Sequence, residues 1–459
     1  MQDLTTGSVT RHLLKTTSFM LVTMVFQTLY FLVDLYWVGR LGKEAVAGVG
    51  VAGNLTFIVL ALSQMLGVGT TAVVSHAAGR KEHERAILLF NQSQALSLVS
   101  GAIFFVVMMT IRLPYSRTLG ADEATATLAA DYLLWFIPAM SLQFAMVAMG
   151  AALRGTGNFK PGMIVGTATV ILNMLIAPIL IFGWFTGTAM GVAGAALSTL
   201  VSVVVGVIWL GTHFVSEGQY LHYRRADWRP QFPVWWSMLK IGLPAGAEFA
   251  LTAVYLFIVY SVCRPFGASA QAAFGIGLRL IQSLFLPVVA LGFAVSPVAG
   301  QNVGARKPDR VASAFKSAVG MAVSLMVVSA IVCYAFAAQL ISVFSHDPDV
   351  IDIGVGYLHV VAWSFVASGV VFVTSSMFQA LGNTIPPLLS SFSRIALIAI
   401  PVLILSRLPG FRLTWIWYLS ATGVALQMIA NLLLLRREFR LRFGTPPAAA
   451  VADQPSLSA

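Results

Sequence analysis

Charge is what this sequence is short of. Only 10% of its 459 residues are Asp, Glu, Lys or Arg, while 58% are hydrophobic. Ordinary soluble domains carry roughly 25% charged residues, so a chain of this length could not cover a water-facing surface with so few. Disordered, fibrous and cytosolic-enzyme classes are excluded on that ground. Cysteine is nearly absent too. Cys263 and Cys333 both lie inside apolar stretches, which excludes a disulfide framework or a cysteine-rich metal site. His76, His346 and His359 are scattered, so no metal site is expected from histidine either. Catalytic signatures are missing: there is no H-E-x-x-H, no nucleophile elbow and no P-loop. The chain reads as a polytopic membrane protein without an enzyme's site or an organic cofactor.

What the chain does have is long apolar runs, with a mean hydropathy of +0.85. A spanning helix needs about 20 mostly apolar residues. Charged and Pro/Gly-rich breaks delimit twelve such stretches, near 14–38, 46–75, 87–111, 128–153, 162–182, 191–214, 234–262, 270–300, 312–337, 355–380, 386–406 and 413–435. Strand alternation does not persist, which disfavours a β-barrel. The stretch 46–75 is glycine-rich and carries Asn54 and Gln64, so burial by other helices is expected there. The apolar N-terminal region shows no small-residue cleavage site, and the first span is expected to act as an uncleaved insertion signal.

Basic residues set the orientation. Nineteen of the 28 Lys and Arg fall on one side, in clusters such as Arg80-Lys81, Arg224-Arg225, Arg306-Lys307 and Arg436-Arg437. Both termini are therefore expected in the cytoplasm. The net charge of +11 becomes a basic inner rim facing anionic lipid, and no nucleic-acid partner is expected.

The chain also repeats itself. At an offset of 225, Lys15 meets Lys240, Gly42 meets Gly267, Asp122 meets Asp347 and Tyr132 meets Tyr357. Gly157-Asn158-x-x-Pro161 aligns with Gly382-Asn383-x-x-Pro386, and Arg80-Lys81 aligns with Arg306-Lys307 at an offset of 226. Six spans per half is an even number, which makes this a parallel repeat. The expected organisation is an all-α membrane protein with twelve transmembrane helices in two pseudo-symmetric six-helix lobes. The N-lobe covers 1–215, a cytoplasmic linker 216–233, the C-lobe 234–436 and a disordered cytoplasmic tail 437–459. Two similar bundles rocking about a central site give alternating access, so a transporter is favoured over a channel or membrane enzyme.

Several runs resemble the multidrug and toxic compound extrusion (MATE) family. Phe31-Leu32-Val33-Asp34-Leu35-Tyr36-Trp37-Val38-Gly39-Arg40-Leu41-Gly42 is similar to its first-helix signature. Ala152-Leu153-Arg154-Gly155-Thr156-Gly157-Asn158 resembles the loop after its fourth helix, and Gly191-Val192-Ala193-Gly194-Ala195-Ala196 its sixth-helix entry. Gly300-Gln301-Asn302-Val303-Gly304-Ala305-Arg306-Lys307 resembles the loop after the eighth. The resemblance implies two six-helix lobes in a V around a central cavity. It also implies coupled export of amphipathic, often cationic drugs and toxic compounds, driven by H⁺ or Na⁺. Within the family the DinF-like branch fits better than the NorM-like one, because the tenth span, Tyr357 to Ala380, holds no carboxylate. The chain departs from the pattern twice. The proline usual near the start of the first span is absent, and the fifth-span Asn-x-x-x-Asp reads Asn173 to Ala177.

Ionisable residues within the spans are candidates by default, since desolvating charge is expensive. Asp34 is foremost, with Gln27 and Tyr30 on the same helical face; its alternative is a structural carboxylate held by hydroxyls or by Arg40. Asn173 and Thr199 match the family's polar partners, although from sequence alone each reads more readily as an ordinary interhelical hydrogen bond. A Na⁺ site at Asp34, Asn173 and Thr199 is an alternative to proton coupling. In the second half Glu248, with Thr252 and Tyr255 on its face, is either a second coupling site or a partner of Arg279. The substrate-cavity candidates are Gln27, Tyr30, Asn54, Tyr255 and Arg279. Proton coupling is favoured because few hard oxygen ligands remain for a cation.

The function expected is export of small organic molecules by a monomeric antiporter in a bacterial plasma (inner) membrane, in contact with its lipids. The alternatives are a lipid-linked saccharide flippase of the same superfamily and a major-facilitator transporter. The first wants several cavity-lining basic residues. The second wants a Gly-x-x-x-Asp-Arg-x-Gly-Arg motif, where this chain has Gly79-Arg80-Lys81-Glu82-His83-Glu84-Arg85.

Overall fold

The computed structural model describes residues 1–444 except Ala121, Thr186, Glu217 and 407–409, and excludes the Phe31 side chain. Among the described residues there are helices and no strands. In chain order they are α1 (Val9–Gly39), α2 (Lys43–Gly53), α3 (Leu55–Gly79), α4 (His83–Leu119), α5 (Glu123–Gly155), α6 (Lys160–Phe182) and α7 (Gly191–Thr212), then α8 (Phe232–Cys263), α9 (Ala268–Gly304), α10 (Pro308–Ala335), α11 (Ala337–Ser342), α12 (Pro348–Ala362), α13 (Phe365–Leu381), α14 (Ile385–Leu405) and α15 (Leu413–Phe443). Among the described residues, eleven segments are long and apolar enough to cross a membrane, with α2 and α3 forming one of them. The pair α12 and α13, bent by 55°, brings the number to twelve. The tenth span is thus broken at Trp363-Ser364 instead of running straight through 355–380. At the other end α15 continues to Phe443, so residues 437–443 of the expected tail are helical; 445–459 lie outside the described residues.

Contacts group the chain into two compact units. Unit 1 holds Met1–Asp3 and Lys15–Ala250; unit 2 holds Leu4–Leu14 and Leu251–Ala459. The boundary differs from the expected linker, and the reason is local. Within unit 1 the first half of α8 presses on α3 through glycines: a Cβ on Gly69 would collide with the Met238 carbonyl, and one on Gly242 with that of Met65. Backbones at that distance leave no slack. The linker is also bound to α4 of the same unit. Asn91 donates to the His222 carbonyl at 3.0 Å and accepts from Arg224 N at 3.0 Å. Gln92 donates to the Asp227 and Arg229 carbonyls and accepts from Gln231 N at 2.9 Å. Two buried amides thereby satisfy linker backbone that would otherwise need water.

In unit 1 α5 is the central helix, packing on α2, α3, α4 and α7. In unit 2 the corresponding place is taken by α13 and α9, with α10, α12 and α15 around them. Unit 2 also carries the N-terminal segment. Leu4 N donates to Gln301 Oε1 at 3.0 Å, and Asn302 donates to the Leu4 carbonyl at 3.1 Å. Lys307 Nζ reaches the Thr5 carbonyl at 2.9 Å, and Arg310 reaches the carbonyls of Leu4, Thr6 and Gly7. Gln301, Asn302 and Lys307 in the run from Gly300 to Lys307 therefore serve as receptors for the backbone of that segment.

The two halves repeat each other at single-residue resolution. Gly42 and Gly267 precede α2 and α9 with φ 109° and 91° and ψ 174° and 177°. Asp122 and Asp347 both cap helices, accepting from Thr125 N and Asp349 N. That hydrogen bond at Thr125 holds the Asp122 carboxyl below the ordinary carboxylate range. Lys81 and Arg306 both take the left-handed conformation, φ 61° and 54°. Each turn closes with the next residue's N–H bonded five residues back, Glu82 to Ala77 and Lys307 to Asn302. This pairs Lys81 with Arg306 at 225, so the 226 register read from Arg80-Lys81 was displaced by one residue. Gly157 and Gly382 end α5 and α13 in the same left-handed cap, which turns the chain.

Candidate functional site

Four helices of unit 1 bring polar side chains to one place. On α1, Tyr30 and Asp34 lie one turn apart on one face. On α6, Asn173 is buried; on α7, Ser198 and Thr199 are buried beside it. Asn173 Nδ2 donates to Thr199 Oγ1 at 3.2 Å and to Ser198 Oγ at 3.3 Å. Both hydroxyls pass their protons to the Ala195 carbonyl, at 2.7 Å from Ser198 and 3.3 Å from Thr199. With its own proton so used, Thr199 accepts from the Tyr30 hydroxyl at 3.1 Å. Pro178 on α6 has no N–H, which withdraws the helical donor from the Met174 carbonyl next to Asn173.

Asp34 completes the group. It is half-buried, and its Oδ1 is sealed from solvent with no hydrogen-bond partner among the described residues. Its charge is felt by Tyr30 and by Tyr132 of α5. Arg40 does not neutralise it: the guanidinium donates to the Tyr36 hydroxyl at 2.6 Å and lies over the Tyr36 and Trp37 rings, 4.7 and 5.5 Å from their centroids. Trp37, three residues beyond Asp34, packs against Phe182 and Trp184 with centroids 6.0 and 5.9 Å away. The result is a lone carboxylate beside an ordered set of neutral donors and hydroxyls, walled by aromatic rings. A carboxylate in such surroundings is chemically able to take up and release a proton.

The other expected positions lie elsewhere. Gln27 is exposed on α1 and outside the cluster. Asn54 is exposed too, and it forms the joint between α2 and α3. Asn54 thus departs from the burial expected of its stretch, much of which is buried, as at Ala52, Leu55, Val59, Met65 and Leu66. Tyr255 lies in unit 2, where its hydroxyl pairs with Ser420 Oγ at 3.0 Å and its ring faces Arg394 at 5.7 Å. Glu248 is half-buried on the unit 1 part of α8, and Arg279 is exposed on α9 of unit 2.

Sequence reasoning missed Ser198 and Tyr132 in this cluster. Ser198 differs from any other helical serine only through Asn173, 25 residues away. Tyr132 carried a signal, its pairing with Tyr357 across the repeat. The reading also missed a polar seam in unit 2, where Gln427 donates to Ser391 at 2.9 Å and Ser390 donates to Asn431.

With this geometry in hand, comparison with known proteins decides the family. The MatE family profile matches twice, over residues 20–179 and 244–405, once in each half and in the register of the internal repeat. The chain belongs to the MATE family. MATE proteins are membrane transporters of small molecules. The probable multidrug resistance protein YoeA of Bacillus subtilis is 26% identical over 89% of this chain and 90% of its own. An FAD transporter of Shewanella oneidensis is 25% identical over 81% and 82%. The fold matches a solved MOP superfamily transporter from Pyrococcus furiosus with a TM-score of 0.89, at 24% identity, covering 96% of this chain and 98% of that one.

Proposed function

We propose that this MATE transporter is an antiporter that exports amphipathic, often cationic drugs and toxic compounds by alternating access of its two lobes. Inward movement of H⁺ drives it, with Na⁺ the alternative ion. The observation that carries this reading is the Asp34 carboxylate, with an oxygen sealed among apolar groups and the Tyr30, Thr199, Asn173 and Ser198 array one turn away. Protonation would remove one charge and one acceptor there, and that change biases one conformation over another. Glu248 is proposed as the second coupling carboxylate, with Gln27, Tyr30, Asn54, Tyr255 and Arg279 along the substrate path. The branch proposed is the DinF-like one, supported by Ala177 and by the carboxylate-free stretch Tyr357–Ala380. The protein acts as a monomer in a bacterial inner membrane with both termini cytoplasmic.

The test is efflux from proteoliposomes under an imposed pH or Na⁺ gradient. Asp34→Asn is expected to abolish gradient-driven export while the protein still folds and binds substrate. Unchanged efflux from that variant removes Asp34 from the mechanism. Loss confined to the Na⁺-driven assay assigns sodium as the coupling ion. The FAD transporter among the relatives supports a second substrate class, organic anions, which the same assay tests with FAD as cargo.

A further inference from the structure

A buried indole N–H almost always finds a hydrogen-bond acceptor. That of Trp37 does not. Its Nε1 is sealed from solvent and has no partner among the described residues. The ring itself is well seated, edge-on to Tyr36, Phe182 and Trp184 at centroid distances of 5.0, 6.0 and 5.9 Å. One turn earlier on α1 stands the complementary gap, the sealed and unpartnered Oδ1 of Asp34. An unmet donor and an unmet acceptor thus occupy positions i+3 and i, which are neighbours on a helix surface. Helical side chains lean toward the N-terminus of their helix, so Trp37 extends over the turn that carries Asp34.

Other donors around the carboxylate are already engaged. Asn173 gives its amide hydrogens to Ser198 and Thr199, and those two hydroxyls give theirs to the Ala195 carbonyl. Tyr30 donates to Thr199, and Arg40 donates to the Tyr36 hydroxyl. Tyr132 of α5 feels the charge of Asp34, but the influence is coulombic and no hydrogen bond joins the two. Trp37 Nε1 is therefore the donor on the same helix, one turn away, that still lacks an acceptor.

We propose that Trp37 is a positioning residue for Asp34: its Nε1–H holds Oδ1 while the carboxylate is charged and releases it once H⁺ or Na⁺ neutralises the group. The structure shows the released arrangement. Hydrogen bonds to an ionised acceptor are roughly twice as strong as neutral ones, so the contact forms and breaks with the charge. Aromatic neighbours fix the indole, and the carboxylate, turning about its own side-chain torsions, is the partner that moves. The inference rests on Asp34 as the coupling group and holds for either ion. It adds the contact through which neutralisation of Asp34 reaches the aromatic cluster at the end of α6.

The experiment uses the full-length protein in nanodiscs, with isotope-labelled tryptophan, and reads the indole N–H resonances by NMR in alkaline, Na⁺-free buffer. The resonance missing from Trp37→Phe belongs to Trp37. Its proton should lie well downfield of its position in Asp34→Asn, the signature of a bond to a charged acceptor. Tyr132→Phe should leave it in place. Function is read as gradient-driven export from proteoliposomes. Benzothienylalanine at position 37 keeps the bicyclic shape and lacks only the N–H. It should lower the maximal export rate about tenfold, with the half-saturating substrate concentration unchanged. A Trp37 resonance that is the same in wild type and Asp34→Asn overturns the proposal, as does full export with benzothienylalanine. Export that survives Asp34→Asn removes the coupling group itself, and this inference falls with it. Loss of export in Asp34→Asn with an unmoved Trp37 resonance overturns the inference alone.

Discussion

Thr199 receives two donors on one hydroxyl oxygen, from Tyr30 and from Asn173. It is therefore the member whose loss leaves the most unmet. Tyr30→Phe removes one of the two donors to that oxygen, whereas Thr199→Val removes the oxygen itself and with it the acceptor of both bonds. In a double-mutant cycle read by detergent unfolding, the Tyr30–Thr199 pair should couple by about 0.6 kcal/mol, the usual worth of a hydrogen bond between membrane helices. Thr199→Val should be the more damaging single change. Additive effects would mean that this hydrogen bond does not operate. The residues also show what a sequence can and cannot display. Asp34 was legible because a carboxylate in an apolar run is conspicuous by its cost. Ser198 was not, because serine is cheap in a helix that can bond it back to its own backbone, here to Ala195.

At the scale of elements, the linker between the halves behaves as part of α4's surface. Gln92 is fully buried and serves two carbonyls and one N–H of that linker. Gln92→Ala should cost about 3 kcal/mol at roughly 1 kcal/mol per hydrogen bond. The linker should then become open to trypsin at Arg224 and Arg225. A linker that stays uncut in this variant would contradict the role assigned to Gln92. Burial supports the same picture, since packing among the Phe90, Phe214 and Trp228 rings pushes the Tyr223 phenol up to about 12. Composition marked 216–233 as a polar connector, and polarity is also what a solvated tether would show. Only the docking partners distinguish the two, and those partners, Asn91 and Gln92, lie more than 120 residues earlier. The turns were more legible. Gly42/Gly267, Asp122/Asp347 and Gly157/Gly382 repeat because each backbone conformation accepts few residue types, so the sequence keeps a record of the geometry.

At the scale of the molecule, Leu4–Leu14 counts with unit 2 although most of α1 belongs to unit 1. Arg310 holds three of that segment's carbonyls and also donates to Asn302 Oδ1 at 2.9 Å. Arg310→Ala should therefore free the segment, seen as faster hydrogen exchange at Leu4 and its neighbours with the core of unit 2 unchanged. Protection that persists at Leu4 would show that Gln301 and Asn302 suffice. The sequence by itself determined the class, the spans, the duplication and the family, because each of these rests on local quantities: charge density, apolar run length and the residue types that turns demand. It marked Asp34 as the candidate carboxylate for the same reason. Only the tertiary structure decided which hydroxyls and amides surround that carboxylate, and where one compact unit ends and the next begins. Those outcomes depend on contacts between residues far apart in the chain, and no local pattern records how close two distant backbones are able to come.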